Sequence, residues 1–428
     1  MFLPLKWVGL TTTLFLTLSS RAWAETAATG DQDLGTVMSG LSDVSTFYGL
    51  LLQYPKIMLQ LPNYGGITIV APNNEAFNNT QNWDPKNETL VTTMLLYHIL
   101  QSTVSTDGIP EGPTTYASTL LTDPHYTNVT GGQKVLIDKQ SGDVVVFTSG
   151  SGSRASLVTG DIPFKGGLIQ VIDTLMTPPS RLETTMRDNY KDLVAFLSAL
   201  YAADLVPSVA DSSNITIFAP RNSAFQLLSG TLSALPKSKL VEILRYHIVP
   251  DQVLTLDLLT NNTALSTLAS DNTTNTAITS HLLRAGNNIY VDSAQIIQPD
   301  ILIANGVVHM ISGVLNPDAP EVQPNPEIAT QPPVFPLSGA TSTGSRVATP
   351  FITALPCTSS CPVSTTSTTS ESVTAVETST SSSSTTVRTT SSKADAGGMA
   401  AARCTGLAGV GMAGLGLMAV GVGMAGVA

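Results

Sequence analysis

Two hydrophobic periodicities alternate along the chain, and their order repeats between residues 46 and 318. Short runs of β-branched and aromatic residues predict strands, as in TIV at 68 to 70 and TIF at 216 to 218. Apolar residues three and four positions apart predict amphipathic helices in TLVTTMLLYHIL and PKSKLVEILRYHIVP. An Ala-Pro pair ends each strand run, so each copy is predicted to contain a strand-to-helix corner and then a longer helix.

The repeat extends beyond these elements. TIVAPNNEAF at 68 to 77 returns as TIFAPRNSAF at 216 to 225, and the helical segment TFYGLLLQ upstream parallels AFLSALYA. Each copy closes on a Gly-containing turn and an apolar strand, in KGGLIQVIDTLMTPP and ANGVVHMISGVLNPD. A unit of about 140 residues can bury its own core. We therefore predict two domains, at residues 31–179 and 180–318.

Most positions of the repeated decapeptide have a structural explanation. We expect Asn74 and Asn222 to cap the helix that follows the strand. Phe77 and Phe225 are expected to turn back into the core, where burial of each side chain contributes about 2 kcal/mol. The decapeptide thus indicates a fold that occurs twice rather than a doubled active site.

A Tyr-His pair ends the second helix of each copy. His98 and His247 fall on the apolar face of their helices, and no HxxxH or HExxH pattern accompanies them. We interpret both as core histidines bonded to the main chain rather than as catalytic or metal-binding residues. His309 stands where the first copy has Gln170, so it is not a repeated site residue.

Both ends of the chain carry features of the secretory route. Residues 1–24 combine Lys6, an apolar stretch and the small-residue motif Ala-Trp-Ala, as in a signal peptide. Residues 407 to 428 are apolar with no charged residue after Arg403, which favours a lipid-attachment signal at Ala396 or Gly397 and removal of residues 397–428. The alternative is a glycine-rich transmembrane helix.

Residues 319–396 are dominated first by Pro and then by Ser and Thr, a composition typical of a disordered, O-glycosylated stalk. No cysteine precedes Cys357, which could pair with Cys361, whereas Cys404 would leave with the anchor signal. The Asn-x-Ser/Thr pattern predicts N-glycosylation at Asn78, Asn87, Asn128, Asn214, Asn261 and Asn272.

Charge and motif content exclude several functional classes. The net charge of -11 and the absence of a basic cluster argue against nucleic acid as a partner. No nucleophile elbow, phosphate-binding glycine loop, dinucleotide motif or metal-ligand cluster is present. We therefore predict no enzymatic activity and no cofactor, although the carboxylates of a glycosidase can lie far apart in sequence.

The order of TIxAPxNxAF, the Tyr-His pair and the terminal glycine-strand-proline segment resembles the fasciclin (FAS1) domain, twice. The resemblance covers most of residues 31 to 318. It implies an α+β fold, with two tandem β-sandwich wedges and helices packed against each. Together with the two termini and the stalk, it is similar to a fungal cell-surface protein of this family, anchored at the plasma membrane or wall.

For function, the resemblance implies adhesion to cell-surface proteins, matrix proteins or wall polysaccharides. In animal members of the family, the Tyr-His region and a Pro-Asp-Ile segment before the last strand are associated with integrin binding. The resemblance therefore implies the candidate adhesion residues Tyr246, His247, Pro299, Asp300 and Ile301. The match is partial, because Gln298 precedes this Pro-Asp-Ile segment where an acidic residue is favoured. The first copy keeps Asp161-Ile162 without the proline. A structural or carbohydrate-binding wall component and a vacuolar membrane protein are the alternatives.

Overall fold

A computed structural model describes residues 30–81, 83–271, 273–337 and 349–356. The predicted signal peptide, Asn272, the three cysteines and the lipid-attachment residues Ala396 and Gly397 lie outside these ranges.

In its described residues, the first domain contains five α-helices and seven strands. The helices are α1 (Leu34–Gly40), α2 (Ser45–Gln53), α3 (Pro55–Gln60), α4 (Asn74–Asn79) and α5 (Glu88–Tyr97). The strands are β1 (Ile67–Pro72), β2 (Ile99–Leu100), β3 (Thr115–Ser118), β4 (Lys134–Gln140), β5 (Val144–Thr148), β6 (Arg154–Phe164) and β7 (Gly167–Ile172). Single 3-10 turns lie at Ser42–Val44, Leu61–Asn63 and Gly150–Gly152.

The second domain repeats this order with additional helical turns. Its helices are α6 (Leu182–Thr184), α7 (Val194–Ala202), α8 (Val206–Asp211), α9 (Asn222–Leu227), α10 (Ser229–Ser233) and α11 (Lys237–Tyr246). Its strands are β8 (Ile215–Pro220), β9 (Ile248–Val249), β10 (Ala264–Ser270), β11 (Ala277–Ala285), β12 (Asn288–Val291), β13 (Ala294–Ile303) and β14 (Gly306–Ile311). A π-helical turn at Thr185–Asn189 and 3-10 turns at Lys191–Leu193 and Ile352–Ala354 complete the elements.

Both domains build the same seven-stranded sheet. The strand order is β2-β1-β7-β6-β5-β4-β3 in the first domain and, in equivalent terms, β9-β8-β14-β13-β12-β11-β10 in the second. In each domain the strand that comes first along the chain pairs in parallel with the strand that comes last, β1 with β7 and β8 with β14. All other strand pairs are antiparallel. A bridge from Leu100 to Thr119 brings the two edges of the first sheet together. The predicted α+β wedge is confirmed in both copies.

Each sheet separates two hydrophobic cores. Along β1, Ile67, Ile69 and Ala71 join the core under the helices, whereas Val70 joins the core on the other face. This alternation follows from the two-residue period of a strand, and β8 shows the same division. Every residue of β1, β7, β8 and β14 is buried, because the central strands are covered on both faces.

The decapeptide forms the predicted corner, but its asparagine acts differently from our expectation. Asn73, not Asn74, caps α4, through a bond from the Ala76 N–H to its Oδ1 at 2.8 Å. Asn74 Oδ1 accepts from the Thr46 N–H at 2.9 Å, in the first turn of α2. Asn222 likewise bonds the first turn of α7. The repeated asparagine therefore satisfies an orphan donor at the start of α2 or α7 and ties that helix to the corner.

Phe77 and Phe225 are buried as predicted. Part of the range predicted to be a stalk, from residue 319 onward, instead packs on the second domain. Phe335 is buried in the core of the second domain, and Phe351 and Leu355 pack against the same core. The segment is rich in proline and therefore has little conformational freedom to lose on packing. Burial of its apolar side chains is then sufficient to hold it on the domain. We call residues 319–337 and 349–356 the docked segment.

Candidate functional site

The structure places the five candidate adhesion residues at two positions in the second domain. Tyr246 and His247 lie at the end of α11, and Pro299, Asp300 and Ile301 lie in an irregular part of β13. No hydrogen bond joins these two groups among the residues that the structure describes. All except Pro299 are buried.

In both domains, the histidine of the Tyr-His pair forms hydrogen bonds with two main-chain groups. His247 Nδ1 donates to the Ile243 carbonyl oxygen at 2.8 Å, and its Nε2 accepts from the Leu315 N–H at 3.0 Å. His98 makes the equivalent pair of bonds in the first domain. Both rings are fully buried, and burial lowers the pKa of each histidine to about 4. This confirms the interpretation of core histidines bonded to the main chain.

The two tyrosines of the motif differ in their partners. The Tyr246 hydroxyl donates to Asp292 Oδ2 at 2.8 Å, and Asp292 Oδ1 accepts from the His281 N–H at 2.7 Å. Burial raises the pKa of Asp292 to about 6. In the first domain the Tyr97 hydroxyl donates to the Lys134 carbonyl oxygen instead, at 2.9 Å. The second domain therefore contains a buried carboxyl group at this contact.

Asp300 lies in a bulge of β13, where the register with β14 shifts on either side of Gln298. Its φ of 58° is in the left-handed region, which Asp tolerates better than most residues. Oδ1 accepts from the Leu256 N–H at 3.0 Å, and Oδ2 accepts from the Tyr116 hydroxyl of the first domain at 2.6 Å. Burial raises the pKa of Asp300, against the opposing effects of His309 and the Tyr116 bond.

Asp161 is the equivalent residue of the first domain, with a φ of 55° in the bulge of β6. Its carboxylate accepts from the Thr106 N–H and hydroxyl at 3.0 and 2.6 Å, and from Gln170 Nε2 at 2.7 Å. Burial alone would raise the pKa of Asp161, but the bonds from Thr106 and Gln170 outweigh it and lower that pKa. All of these partners belong to the first domain itself.

Gln170 and His309 make the same contacts with different side chains. Gln170 Oε1 accepts from the Asp161 N–H at 2.8 Å, and His309 Nδ1 accepts from the Asp300 N–H at 3.3 Å. Each side chain also donates to a carbonyl oxygen in the loop after the second strand of its domain, at 2.9 and 2.7 Å. Sequence reasoning treated this position as unrepeated because the residue types differ, yet both hold the bulge in place.

The first domain has an open cleft beside its bulge, with a volume of about 160 Å³. Val158, Ile162 and Val171 line its apolar side, and Asp43 and Asn73 line its polar side. Val158 is 55% exposed. A partner can therefore reach both apolar surface and polar groups here.

The equivalent surface of the second domain is arranged differently. Asp192 and Arg221 correspond to Asp43 and Asn73, and they form an ion pair with Nε and Oδ2 3.4 Å apart. Ile297, the counterpart of Val158, is 38% exposed. Arg221 is therefore paired with an acidic side chain at the position where Asn73 lines the cleft of the first domain.

The two domains meet where the loop between β3 and β4 contacts the turn between β13 and β14. The Asn128 N–H and the Thr127 hydroxyl both donate to the Ala304 carbonyl oxygen, at 2.9 and 3.1 Å. Gln133, which is buried, donates from Nε2 to the Ile303 carbonyl oxygen at 3.0 Å. We call this contact the domain joint; it comprises Tyr116, Thr127, Asn128, Thr130, Gln133, Asn214, Asp300, Ile303 and Ala304.

The sequence model of the fasciclin domain family matches residues 42–178 and 191–317, which is more than half of the chain. The chain belongs to the fasciclin domain family. It is 29% identical over 314 residues to a fasciclin-like arabinogalactan protein of Arthroderma benhamiae, covering 72% of this chain and 71% of that protein.

The chain is also similar to a second fungal protein and to a solved domain pair. The chain is 25% identical over 300 residues to the fasciclin-like arabinogalactan protein elcF of Phaeosphaeria nodorum, covering 69% of this chain and 92% of that protein. A solved FAS1 domain pair from the insect cell adhesion molecule fasciclin I shares 16% identity with a TM-score of 0.32, over 65% of this chain and 98% of that chain.

The asparagines of the glycosylation motifs differ in their surroundings. In the first fasciclin domain, Asn78 is exposed on α4, and exposed Asn87 caps α5 through its Oδ1. Exposed Asn261 accepts the Arg284 N–H in the second fasciclin domain. Asn128 and Asn214 are only partly exposed, because both lie in the domain joint. Glycosylation of each site stays a prediction.

Sequence reasoning missed several residues of the domain joint, including Tyr116 and Gln133, because they lie outside the three repeated motifs of the fasciclin domains. Across the described ranges, no group of His, Cys, Asp and Glu side chains is arranged to hold a metal ion. In the same part of the chain, no helix has the length and apolarity needed to cross a bilayer.

Proposed function

We propose that the protein is an adhesion glycoprotein of the cell surface that contacts its partner through the cleft and bulge of the first fasciclin domain. The observation that carries this proposal is the unequal exposure of the two Asp-Ile bulges. Val158 and Thr159 are exposed and Asp161 and Ile162 partly exposed, beside an open cleft. In the second domain the bulge carboxylate is engaged in the domain joint.

The candidate adhesion residues then have different roles under this proposal. Tyr246, His247, Asp300 and Ile301 maintain the shape of the second domain, since their side chains are buried. Pro299 is partly exposed and is the one candidate available to a partner in the closed molecule. We expect the partner to be a surface or matrix protein or a wall polysaccharide, because a mixed apolar and polar cleft suits either.

The proposal includes export and lipid anchoring. A signal peptide at 1–24, a stalk beyond residue 356 and lipid attachment at Ala396 or Gly397 would display the domains outside the plasma membrane or in the wall. Many anchored copies would convert weak contacts into strong attachment. Phosphatidylinositol-specific phospholipase should release the protein from intact cells, and retention after cleavage of a control protein would contradict the anchor.

The adhesion test uses residues 25–356 coupled to beads, so that the docked segment remains on the second domain. Beads are mixed with intact fungal cells, matrix proteins or wall polysaccharide particles, and capture is counted. We expect Val158→Asp to reduce capture at least fivefold, because a charge in the cleft opposes an apolar contact. Ile297→Asp is the matched control, at the equivalent position of the second domain.

Three outcomes separate the possibilities. Loss of capture with Val158→Asp but not with Ile297→Asp supports the first-domain cleft. The reverse result would move the contact to the second domain. Absence of capture by wild-type beads at high coupling density would remove adhesion as the function and favour a structural role in the wall.

A further inference from the structure

Asn214 is both the acceptor of a glycosylation motif and a central residue of the domain joint. Its N–H donates to the Asn128 carbonyl oxygen at 3.1 Å. Its Oδ1 accepts from the Thr130 N–H at 2.7 Å, and its Nδ2 donates to the Thr130 hydroxyl at 2.8 Å. The Asn214 side chain of the second domain thus makes two hydrogen bonds with Thr130 of the first domain, and we call these two bonds the grip.

The positions of these two hydrogen bonds show which of the two Nδ2 hydrogens is donated to the Thr130 hydroxyl. Both bonds go to Thr130, so they leave from the same edge of the planar Asn214 amide. The hydrogen that faces the Thr130 hydroxyl is therefore the one on the same side as Oδ1. The other hydrogen points away from Oδ1 and cannot reach the same residue.

A glycan would replace the Nδ2 hydrogen that faces the Thr130 hydroxyl. Glycosylation turns the side chain into a secondary amide, which is planar and strongly prefers the trans form. In that form the first sugar carbon lies on the same side as Oδ1, while the remaining hydrogen points away. The sugar would occupy the place of the Thr130 hydroxyl, so the grip and the glycan exclude each other.

We propose that N-glycosylation of Asn214 is a covalent switch that holds the domain joint open. In the reaction, Nδ2 attacks the first sugar carbon of a lipid-diphosphate-linked oligosaccharide. The bond from that carbon to the diphosphate breaks, the Nδ2–C bond forms, and the amide proton leaves with the lipid diphosphate. Thr216 of the motif is fully buried in the folded domain, so transfer precedes folding and sets the state once.

Opening the joint also affects the contact between Tyr116 of the first domain and the bulge of the second domain. Tyr116 holds Asp300 only while the domains are closed. A chain with a glycan on Asn214 would therefore expose a carboxylate that the unmodified chain keeps engaged. This inference depends on the geometry of the joint and not on the proposed adhesion.

The test compares full-length chains secreted by a host that N-glycosylates its proteins. Asn214→Asp removes the motif but keeps the grip, because a carboxylate can accept from both the N–H and the hydroxyl of Thr130. Asn214→Gln removes the motif and misplaces the amide by one methylene. Amide hydrogen exchange of the peptide covering 127 to 133 reports joint closure, and glycopeptide mass spectrometry reports occupancy at Asn214, with Asn78 and Asn87 as internal references.

We expect slow exchange at 127 to 133 in Asn214→Asp, and at least tenfold faster exchange in chains that carry a glycan on Asn214 and in Asn214→Gln. Trimming to a single sugar should leave exchange fast. Removal by an amidase that converts the glycosylated Asn to Asp should slow it again. Equal exchange in glycosylated and Asn214→Asp chains would overturn the proposal, and so would absence of any glycan at Asn214 when Asn78 or Asn87 is occupied.

Discussion

The two Asp-Ile bulges occupy equivalent places in equivalent sheets, yet their surroundings differ. Asp161 is satisfied by side-chain and main-chain donors of its own domain, and its pKa is lowered. Asp300 receives one of its bonds from Tyr116 of the other domain, and burial raises its pKa. The repeat therefore preserves the backbone geometry of the bulge, while the neighbouring domain decides whether the bulge is accessible.

Acidification should produce the largest difference in stability between the two domains. The pKa of His98 and of His247 is about 4 in the folded state against 6.5 when unfolded. The stability that each contributes is complete above pH 6.5 and is lost toward pH 4, on the order of 3 kcal/mol per histidine. Asp292 acts oppositely, because its folded pKa of about 6 exceeds 3.8, so protonation on acidification stabilises the second domain.

We therefore expect the first domain to unfold first near pH 4.5. Trp83 is the one tryptophan after residue 24, and its fluorescence reports the first domain. Burial also lowers the pKa of His309, so the comparison is best made in His309→Gln, which copies Gln170. Earlier acid unfolding of the second domain in this variant, by hydrogen exchange, would contradict the assignment of Asp292.

Removal of the docked segment should affect the second domain alone. All residues from Ala195 to Leu200 in α7 are buried, whereas α2 of the first domain buries only Phe47, Leu50 and Leu51. A chain ending at Pro317 loses the contacts of Phe335 and the 3-10 turn against that core. We expect a loss of about 2 to 3 kcal/mol in the second domain relative to residues 25–356, measured by urea unfolding.

Trp83 fluorescence provides the control for that truncation. An unchanged midpoint for the first domain is expected, because the docked segment packs on the second domain. An equal shift of both domains would show that the docked segment stabilises the molecule as a whole.

Replacement of each bulge aspartate by asparagine should affect the stability of the two domains differently. Asn tolerates the left-handed backbone of both sites, so the substitution tests the bonds alone. Asp161→Asn places an NH₂ group against donors and should cost the first domain about 2 kcal/mol. Asp300→Asn should be close to neutral, since Oδ1 can still accept and the Tyr116 hydroxyl can accept from the new amide. Equal losses in thermal unfolding would mean that the bulges are equivalent after all.

The smallest effect is expected for Tyr116→Phe. It removes the hydrogen bond to Asp300 and should weaken closure of the joint by about 1 kcal/mol without changing the melting temperature of either domain. Exchange at 127 to 133 measures closure. Exchange at 127 to 133 as slow in Tyr116→Phe as in the wild type would argue against a contribution of this bond to closure.

Much of the fold could be predicted from local patterns. Strand runs, the Ala-Pro stop and helical spacing identified the corners, the buried phenylalanines and the core histidines. The cap was assigned to the wrong helix, because Asn74 bonds Thr46, which is near in space but far along the chain. Part of the predicted stalk range packs on the second domain, which composition does not reveal because it cannot show that Phe335 has a core to pack on.

The sequence by itself determined the duplication, the fold class and the residues that fill each core, since these depend on short-range periodicity repeated in both copies. Only the tertiary structure decided which bulge is open and which is engaged. Tyr116 and Asp300 are 184 positions apart, and their contact depends on how two finished domains pack. Packing between domains follows from surface shape and unpaired polar groups, which the alternation of apolar and polar residues does not record.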